Sequence, residues 1–240
     1  GVPHIEIYTE LLDFEDAFVN YADTLDLVIS NTGTDILEIS DIQFSEYVFS
    51  ISAALPISIM AGEDFTLDVL FAPNGEGDQV GTLIIVNNDP EMPVLTLALS
   101  GNGILAPAIT VTAENFDGIP MDSLSAALYT GEKDNSQVIT IQNNGGSVLD
   151  WELEITAIDT TNMAWLNTSA TNGSINTDVS VSIEITFDAK GLGDGEYLAD
   201  ILIISNDPGN SEISVPVLLT VTSAPDIVLD TQSLDFMEVF

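Results

Sequence analysis

Apolar and polar residues alternate over short stretches along most of this chain. The clearest stretch is 179–187 (VSVSIEITF), in which every second residue is apolar and the residues between them are polar. A period of two places the apolar residues on one face of a half-buried β-strand. The stretch therefore predicts a strand that has one face in a core and the other in solvent.

The same pattern recurs and sets the fold class. It predicts further strands at 5–8, 25–30, 65–71, 82–86, 94–99, 109–112, 138–142, 151–156, 201–204 and 213–222. Turn-forming motifs separate them, such as NTG at 31–33 and NDP at 88–90 and 206–208. One helical turn is predicted at 121–129. Many short strands divided by turns are typical of antiparallel β-sandwiches, so the chain is predicted to be all-β.

Internal repeats divide the chain. The turn motif at 31–33 is matched at 143–145, an offset of 112 (143 − 31), and the NDP motifs are offset by 118 (206 − 88). The segment 225–240 matches 3–18 at seven of sixteen positions, with an offset of 222 (225 − 3). Such self-similarity is the signature of repeated modules. We predict sandwiches at 1–103 and 104–223, and the first strand of a third repeat at 224–240.

The order of motifs over residues 3–103 resembles a known family. The motifs are P-x-I, LDF, NTG, GEDF, FAP, GTLII-x-NNDP and L-x-G-x-G, and together they look like the abnormal-spindle/hydin type of immunoglobulin-like domain. In bacteria they resemble the choice-of-anchor surface modules. The second repeat is similar but looser, and it also resembles the BACON type. The resemblance implies immunoglobulin-like sandwiches in secreted or cell-surface bacterial proteins, without one shared activity.

Charge excludes several classes of partner. The chain has 39 acidic residues against two lysines and no arginine, which gives a net charge of −37. Nucleic acids and anionic membranes are bound through clusters of Lys and Arg, which this chain cannot form. Salt or divalent cations would screen the self-repulsion of so negative a protein. A saline or calcium-containing exterior is the natural setting, although acidity can equally serve solubility.

Carboxylates provide the candidate metal ligands. Hard oxygen ligands suit Ca²⁺, and the weak candidates are two pairs, Asp89 with Glu91 and Asp194 with Glu196. Neither pair lies in a recognised calcium-binding loop. The NDP motifs have a structural alternative, in which Asn and Asp cap a turn between two strands. We favour that alternative and predict no obligatory cofactor.

Aromatic and catalytic chemistry gives one further candidate site. Trp165 could stack on a sugar, as the resemblance to BACON modules implies, or it could be a partly buried loop residue. A nucleophile–histidine–acid arrangement would have to use His4, the only histidine. The chain is therefore not predicted to be an enzyme.

The segment 225–240 provides the candidate interaction strand. Its apolar residues are Ile227, Leu229, Leu234 and Phe236, which would have no sheet of their own within this sequence. Such a strand is expected to pair with an exposed sheet edge, on a neighbouring repeat or on another copy of the chain. The predicted function is a structural module of an extracellular repeat protein, such as a stalk, an adhesin shaft or a filament. The alternatives are a glycan-binding module and an accessory region of a secreted hydrolase.

Overall fold

The computed structural model describes residues 1–115, 120–121, 123–157 and 163–225. The chain forms two compact units. Unit 1 is Gly1–Pro107 together with Gly145–Ser147, and unit 2 comprises Ala108–Asn144 and the chain from Val148 onward. The division at Pro107 lies in the segment that joins the last strand of one unit to the first strand of the next.

Unit 1 is a sandwich of two sheets. Its strands are β1 (Ile5–Glu6), β2 (Leu11–Phe18), β3 (Asp23–Asn31), β4 (Leu37–Phe44), β5 (Phe49–Ile51), β6 (Ile57–Ile59), β7 (Asp64–Phe71), β8 (Gly77–Asn87) and β9 (Val94–Ile104). One sheet has the order β1-β3-β7-β5 and the other has the order β2-β9-β8-β4-β6. The first segment of the chain thus contributes a strand to each sheet in turn.

Unit 2 repeats this plan. Its strands are β10 (Ile109–Asn115), β11 (Pro120–Met121), β12 (Leu124–Tyr129), β13 (Lys133–Asn143), β14 (Leu149–Ala157), β15 (Leu166–Thr168), β16 (Asn172–Ile175), β17 (Ser180–Asp188), β18 (Gly195–Ser205) and β19 (Glu212–Thr222). The sheets have the orders β11-β10-β13-β17-β15 and β12-β19-β18-β14-β16. The helical turn predicted at 121–129 is wrong, because this segment contains β12.

The prediction of an immunoglobulin-like β-sandwich is confirmed, with one correction to the antiparallel pairing. In unit 1, β1 pairs antiparallel with β3, and β2 then pairs parallel with the last strand, β9. In unit 2, β10 pairs antiparallel with β13, and β12 pairs parallel with β19. The first segment of each unit therefore crosses between the sheets and then runs beside the last strand.

The core lies between the two sheets of each unit. In unit 1, Phe49 and Phe71 stack at 5.0 Å between ring centroids, and Phe14 packs against both rings. Gly101 makes room for this cluster, because a Cβ at that position would lie 2.4 Å from the ring of Phe71. The LDF motif is therefore a core motif, since Leu12 and Phe14 are buried while Asp13 is exposed.

Candidate functional site

Asp89 of the first NDP motif is buried at the turn between β8 and β9. Its Oδ2 accepts a hydrogen bond from the backbone N–H of Ile5 at 3.0 Å. Its Oδ1 accepts from the backbone N–H of Glu91 at 2.8 Å and of Met92 at 3.3 Å. The carboxylate therefore joins the turn before the last strand to the first strand of the unit, 84 residues earlier in the chain.

Two asparagines complete this arrangement. Asn88 accepts from the N–H of Glu38 at 2.8 Å and donates to the carbonyl of Ile36 at 3.1 Å. Asn31, from the NTG motif, accepts from the N–H of His4 at 3.3 Å and donates to the carbonyl of Ile59 at 2.9 Å. Asn31, Asn88 and Asp89 together satisfy backbone groups of several different segments at one end of the unit. We call these three residues the polar clamp.

Unit 2 has the same clamp, made of Asn143, Asn206 and Asp207. Asp207 Oδ2 accepts from the N–H of Ile109 at 2.9 Å, and its Oδ1 accepts from the N–H of Gly209 at 2.7 Å. Asn143 accepts from the N–H of Ala108 and donates to the carbonyl of Ile175. Asn206 accepts from the N–H of Asp150 and donates to the carbonyl of Val148. The recurrence of these bonds explains why the Asn and NDP motifs repeat along the sequence.

The electrostatics of Asp89 follow from this geometry. Burial raises the pKa of the carboxyl, because water no longer solvates the anion. The N–H groups of Ile5, Glu91 and Met92 act against burial, and so does His4, whose Nδ1 lies 3.0 Å from Oδ2. Together they hold the pKa of Asp89 below its ordinary value. The anion is thus the form that the unit stabilises.

These contacts bear on the calcium candidates. Both oxygens of Asp89 already accept N–H groups, and Glu91 is exposed beside it. Asp194 and Glu196 are also exposed, and Asp194 accepts from the hydroxyl of Ser223 at 2.6 Å. Within the described parts of the chain, no group of three or more His, Asp or Glu side chains is arranged to hold a metal ion. The geometry at Asp89 agrees with the turn-capping interpretation of the NDP motif.

Trp165 lies in the core of unit 2, so the sugar-stacking interpretation is wrong for this residue. It is 3% exposed and packs against Phe187 at 6.4 Å and Tyr197 at 6.2 Å between ring centroids. A short 3-10 turn, Met163–Trp165, directs the ring inward before β15 begins. Both faces of the indole are therefore unavailable to a sugar.

The candidate interaction strand, Ile227, Leu229, Leu234 and Phe236, lies outside the described residues. The offset of 222 assigns each of these positions a counterpart in unit 1. Of the counterparts, Ile5, Leu12 and Phe14 are 1%, 6% and 3% exposed. The sequence of 225–240 thus repeats a segment that forms two strands in unit 1, β1 with Ile5 and β2 with Leu12 and Phe14, and that buries these side chains.

The sheet edges determine where an additional strand could pair, since an unpaired edge is a template for another chain. In unit 1 the long edge strand is β2, and its pairing with β9 is interrupted between Asp13 and Asp16. Glu15, within the interruption, has a φ of 51°, which is unusual for a residue other than glycine. This bulge, together with its three acidic side chains, makes β2 a poor acceptor for another strand.

In unit 2 the long edge strand is β12, and a side chain from the opposite sheet covers part of its edge. Gln137 is 5% exposed; its Oε1 accepts from the N–H of Ser125 at 3.1 Å and its Nε2 donates to the carbonyl of Ser125 at 2.6 Å. The amide thus takes the place of a neighbouring peptide group. Farther along, Glu132 accepts from the N–H of Tyr129 at 2.8 Å. Sequence reasoning missed Gln137, although it lies in phase with the inward-facing Ile139 and Ile141.

One strand edge in unit 1 is open. The pairing of β2 with β9 begins only at Ala98, and Pro93 directs its carbonyl to Asn87 of β8. Because backbone groups alternate in direction along a strand, the N–H and C=O groups of Val94 and Thr96 face the other way. Among the described residues, none pairs with β9 there. A cavity of about 450 Å³ lies beside this edge, bordered by Ile7, Thr9, Glu10, Leu95, Thr96 and Leu97, among others.

In unit 2 a proline lies next to the corresponding edge positions, Glu212 and Ser214. The offset of 118 aligns Ala98 with Pro216 of β19, which pairs with Asp200 of β18. A proline has no N–H to offer to another strand, and prolines are typical of protected edges. The edge residue that follows the open pair is therefore Ala98, which pairs with β2, in unit 1 and a proline in unit 2.

Unit 1 also has an acidic surface depression. It has a volume of about 670 Å³ and is bordered by four carboxylates, those of Asp13, Glu15, Asp16 and Asp78. Ser100 donates to Asp13 at 2.8 Å, and Asn102 donates to Asp16 at 2.7 Å. This face would repel an anionic ligand, in agreement with the classes that the net charge excludes.

No family model and no curated protein matches the chain. Among solved structures, a Porphyromonas gingivalis W83 protein of unknown function is 18% identical, with 90% of this chain and 99% of that chain covered and a TM-score of 0.37. A PapD-like domain of human CEP192 is 16% identical, covers 42% of this chain and 84% of its own, and also has a TM-score of 0.37.

The YadV chaperone is 9% identical, covers 88% of this chain and 98% of its own, and has a TM-score of 0.34. Similarity at these values carries no inference about binding or activity. The assignment of an immunoglobulin-like sandwich accordingly rests on the strand order and the two buried cores. In the part of the chain that the structure describes, no helix is long and apolar enough to cross a membrane.

Proposed function

We propose that this chain is a structural and interaction module of an extracellular bacterial repeat protein, such as a stalk, an adhesin shaft or a filament subunit. The observation that carries the proposal is the repeated polar clamp. In both units the most recognisable polar motifs hold first strands in place instead of facing a ligand. Repetition of such modules builds length and surface, which is what a stalk or a shaft requires.

The family assignment and the location belong to the same proposal. The motif order of residues 3–103 supports membership of the abnormal-spindle/hydin-like, choice-of-anchor type, and unit 2 has similarity to BACON modules. A net charge of −37 supports a saline exterior, where ions screen repulsion between carboxylates. The glycan-binding alternative loses its main residue, since Trp165 belongs to the core.

The interaction itself uses residues 225–240 as an added strand. These residues repeat the segment of β1 and β2, which buries three apolar side chains in unit 1, so they gain by pairing with a sheet. The acceptor with open backbone groups is the β9 edge at Val94 and Thr96, on a neighbouring repeat or another copy of the chain. Main-chain hydrogen bonds would provide the affinity, and the apolar residues at the cavity would select the register.

Light scattering tests this proposal. The full chain is expected to associate with increasing concentration, and a chain that ends at residue 224 is expected to remain monomeric. Thr96→Pro, which removes an edge-facing N–H, should weaken association, whereas Ser214→Pro at the matching position of unit 2 should weaken it less, because the neighbouring edge residue there, Pro216, already lacks an N–H. Association that is unchanged by the deletion would rule out residues 225–240 as the added strand.

A further inference from the structure

Each unit has its first and last residues at opposite ends. In unit 2, β10 begins at the turn before β19, because the N–H of Ile109 bonds to Asp207 at 2.9 Å. From that turn β19 runs for 11 residues to Thr222, or about 36 Å at the rise of a strand. Unit 1 has the same arrangement, with Ile5 bonded to Asp89 and β9 ending at Ile104.

The parallel pairs β2–β9 and β12–β19 determine how each unit responds to tension. Tension that reaches β12 through the preceding strands β10 and β11 draws it toward its own N-terminus, and tension on the following chain draws β19 toward its C-terminus. Because the two strands are parallel, these forces slide one along the other. The six paired residues of β12, from Leu124 with Val217 to Tyr129 with Thr222, are then loaded together. Peeling the strands apart from one end would load them one after another.

We propose that each unit is a tension-bearing element, in which the parallel pair of β2 with β9, or of β12 with β19, resists extension by shear. The inference rests on the proposed structural role, since a stalk or a shaft transmits load along its chain. In unit 2, Gln137 of the opposite sheet also holds the outer edge of β12, so sliding must break its bonds too. In unit 1 the pairing is interrupted between Asp13 and Asp16. Unit 2 is therefore the stronger element.

Two pairs of attachment points on the full chain test the direction of loading. The chain has no cysteine, so single cysteines can carry the handles of an optical tweezers experiment. Ser123→Cys with Ala224→Cys pulls the β12–β19 pair in shear, and Thr130→Cys with Ala224→Cys peels the same pair from its adjacent ends. All three positions are exposed, and Thr130 donates to the carbonyl of Thr222 at 2.9 Å.

The expected result is a large difference between the two directions. At equal load, unit 2 should remain folded at least about tenfold longer in shear than in peeling. In shear at least two more hydrogen bonds must break at the same time, and this raises the unfolding barrier enough to give that factor. Unfolding under force is governed by the unfolding rate, so equal melting temperatures of the two variants confirm that only direction differs. Equal lifetimes in the two directions would overturn the proposal.

A matched pair of proline variants tests the strand pair itself. Thr130 directs its N–H to β19 and Ser125 directs its N–H to Gln137, so even-numbered residues of β12 face β19 and odd-numbered residues face away. With handles in shear, Ala126→Pro should shorten the lifetime at least about fivefold through loss of a ladder bond, and Ala127→Pro should change it less. Equal effects would count against the pair as the load-bearing contact.

Folding of each variant is checked by tryptophan fluorescence, since both tryptophans are buried in unit 2. If Ala126→Pro does not fold, the comparison of the two directions decides alone. The outcome is independent of association through residues 225–240, because these measurements use single molecules. A monomeric chain that resists shear would refute the added strand while supporting the tension-bearing role.

Discussion

Replacing Asp89 by Ala should destabilise unit 1 and leave unit 2 unchanged. The substitution deprives the N–H groups of Ile5, Glu91 and Met92 of the acceptor that they now share. Hydrogen bonds to a charged acceptor contribute about 1.5–3 kcal/mol each, and bonds to one group are not additive. We expect a loss of about 3–5 kcal/mol, a large fraction of the stability of a domain of this size.

Urea unfolding of the full chain provides the assay. Trp151 and Trp165 are both in unit 2, so tryptophan fluorescence follows unit 2 while far-ultraviolet circular dichroism follows both units. Asp89→Ala should move part of the dichroism transition about 1–3 M lower in urea without moving the fluorescence transition. Asp207→Ala is the matched variant, and it should shift the fluorescence transition instead.

Two results would refute this reasoning. If Asp89→Ala leaves both transitions in place, the clamp contributes little and its hydrogen bonds are replaced by water. If it shifts the fluorescence transition as far as Asp207→Ala does, the two units do not unfold separately. The first result would also remove the main argument that the NDP motifs are structural.

Three further predictions concern other features of the fold. Unit 1 should lose stability as the pH falls below about 4. The pKa of Asp89 is lower in the folded unit than in the unfolded chain, so its carboxylate stabilises the fold at pH values above the unfolded pKa, and this contribution is lost as Asp89 is protonated. In Asp89→Asn the acid-dependent loss of circular dichroism should be smaller. Gly101→Ala should cost about 1–3 kcal/mol through overpacking against a buried phenyl ring, measured by urea unfolding, whereas Gly75→Ala, with open space around it, should not. Gln137→Leu should expose the backbone of Ser125 and increase association of the chain in light scattering, and no change would show that the amide does not protect this edge.

The fold class could be predicted because the alternation of apolar and polar residues is a local property of the sequence. The stretch 179–187 was predicted as a strand and is found as β17 (Ser180–Asp188), because period-two patterning reports which side chains face the core. The segment around Leu124 was predicted as a helical turn. Its sequence, LSAALY, has neither the β-branched residues nor the alternation of the other strands, and its pairing with β19 provides the structure instead.

The functional residues were harder to predict, because their roles depend on distant partners. Asp89 was recognised as a turn residue, but its bond to Ile5 connects segments that the sequence does not relate. Trp165 was assigned to a partly buried loop, or to a sugar site because of the resemblance to BACON modules, and only the turn before β15 shows that its ring is buried. Gln137 had a signal, a polar residue among inward-facing isoleucines, but not a partner.

The parallel pair of β2 with β9 also dictates when unit 1 can finish folding during synthesis. Leu12 pairs with Leu99, so the β2–β9 contact joins residues 87 positions apart (99 − 12). Until the ribosome has produced β9, the apolar side of β2 has no partner in its sheet. Contacts of such long sequence separation fold slowly. Unit 1 therefore cannot complete this sheet until the chain has been made as far as β9, which ends at Ile104.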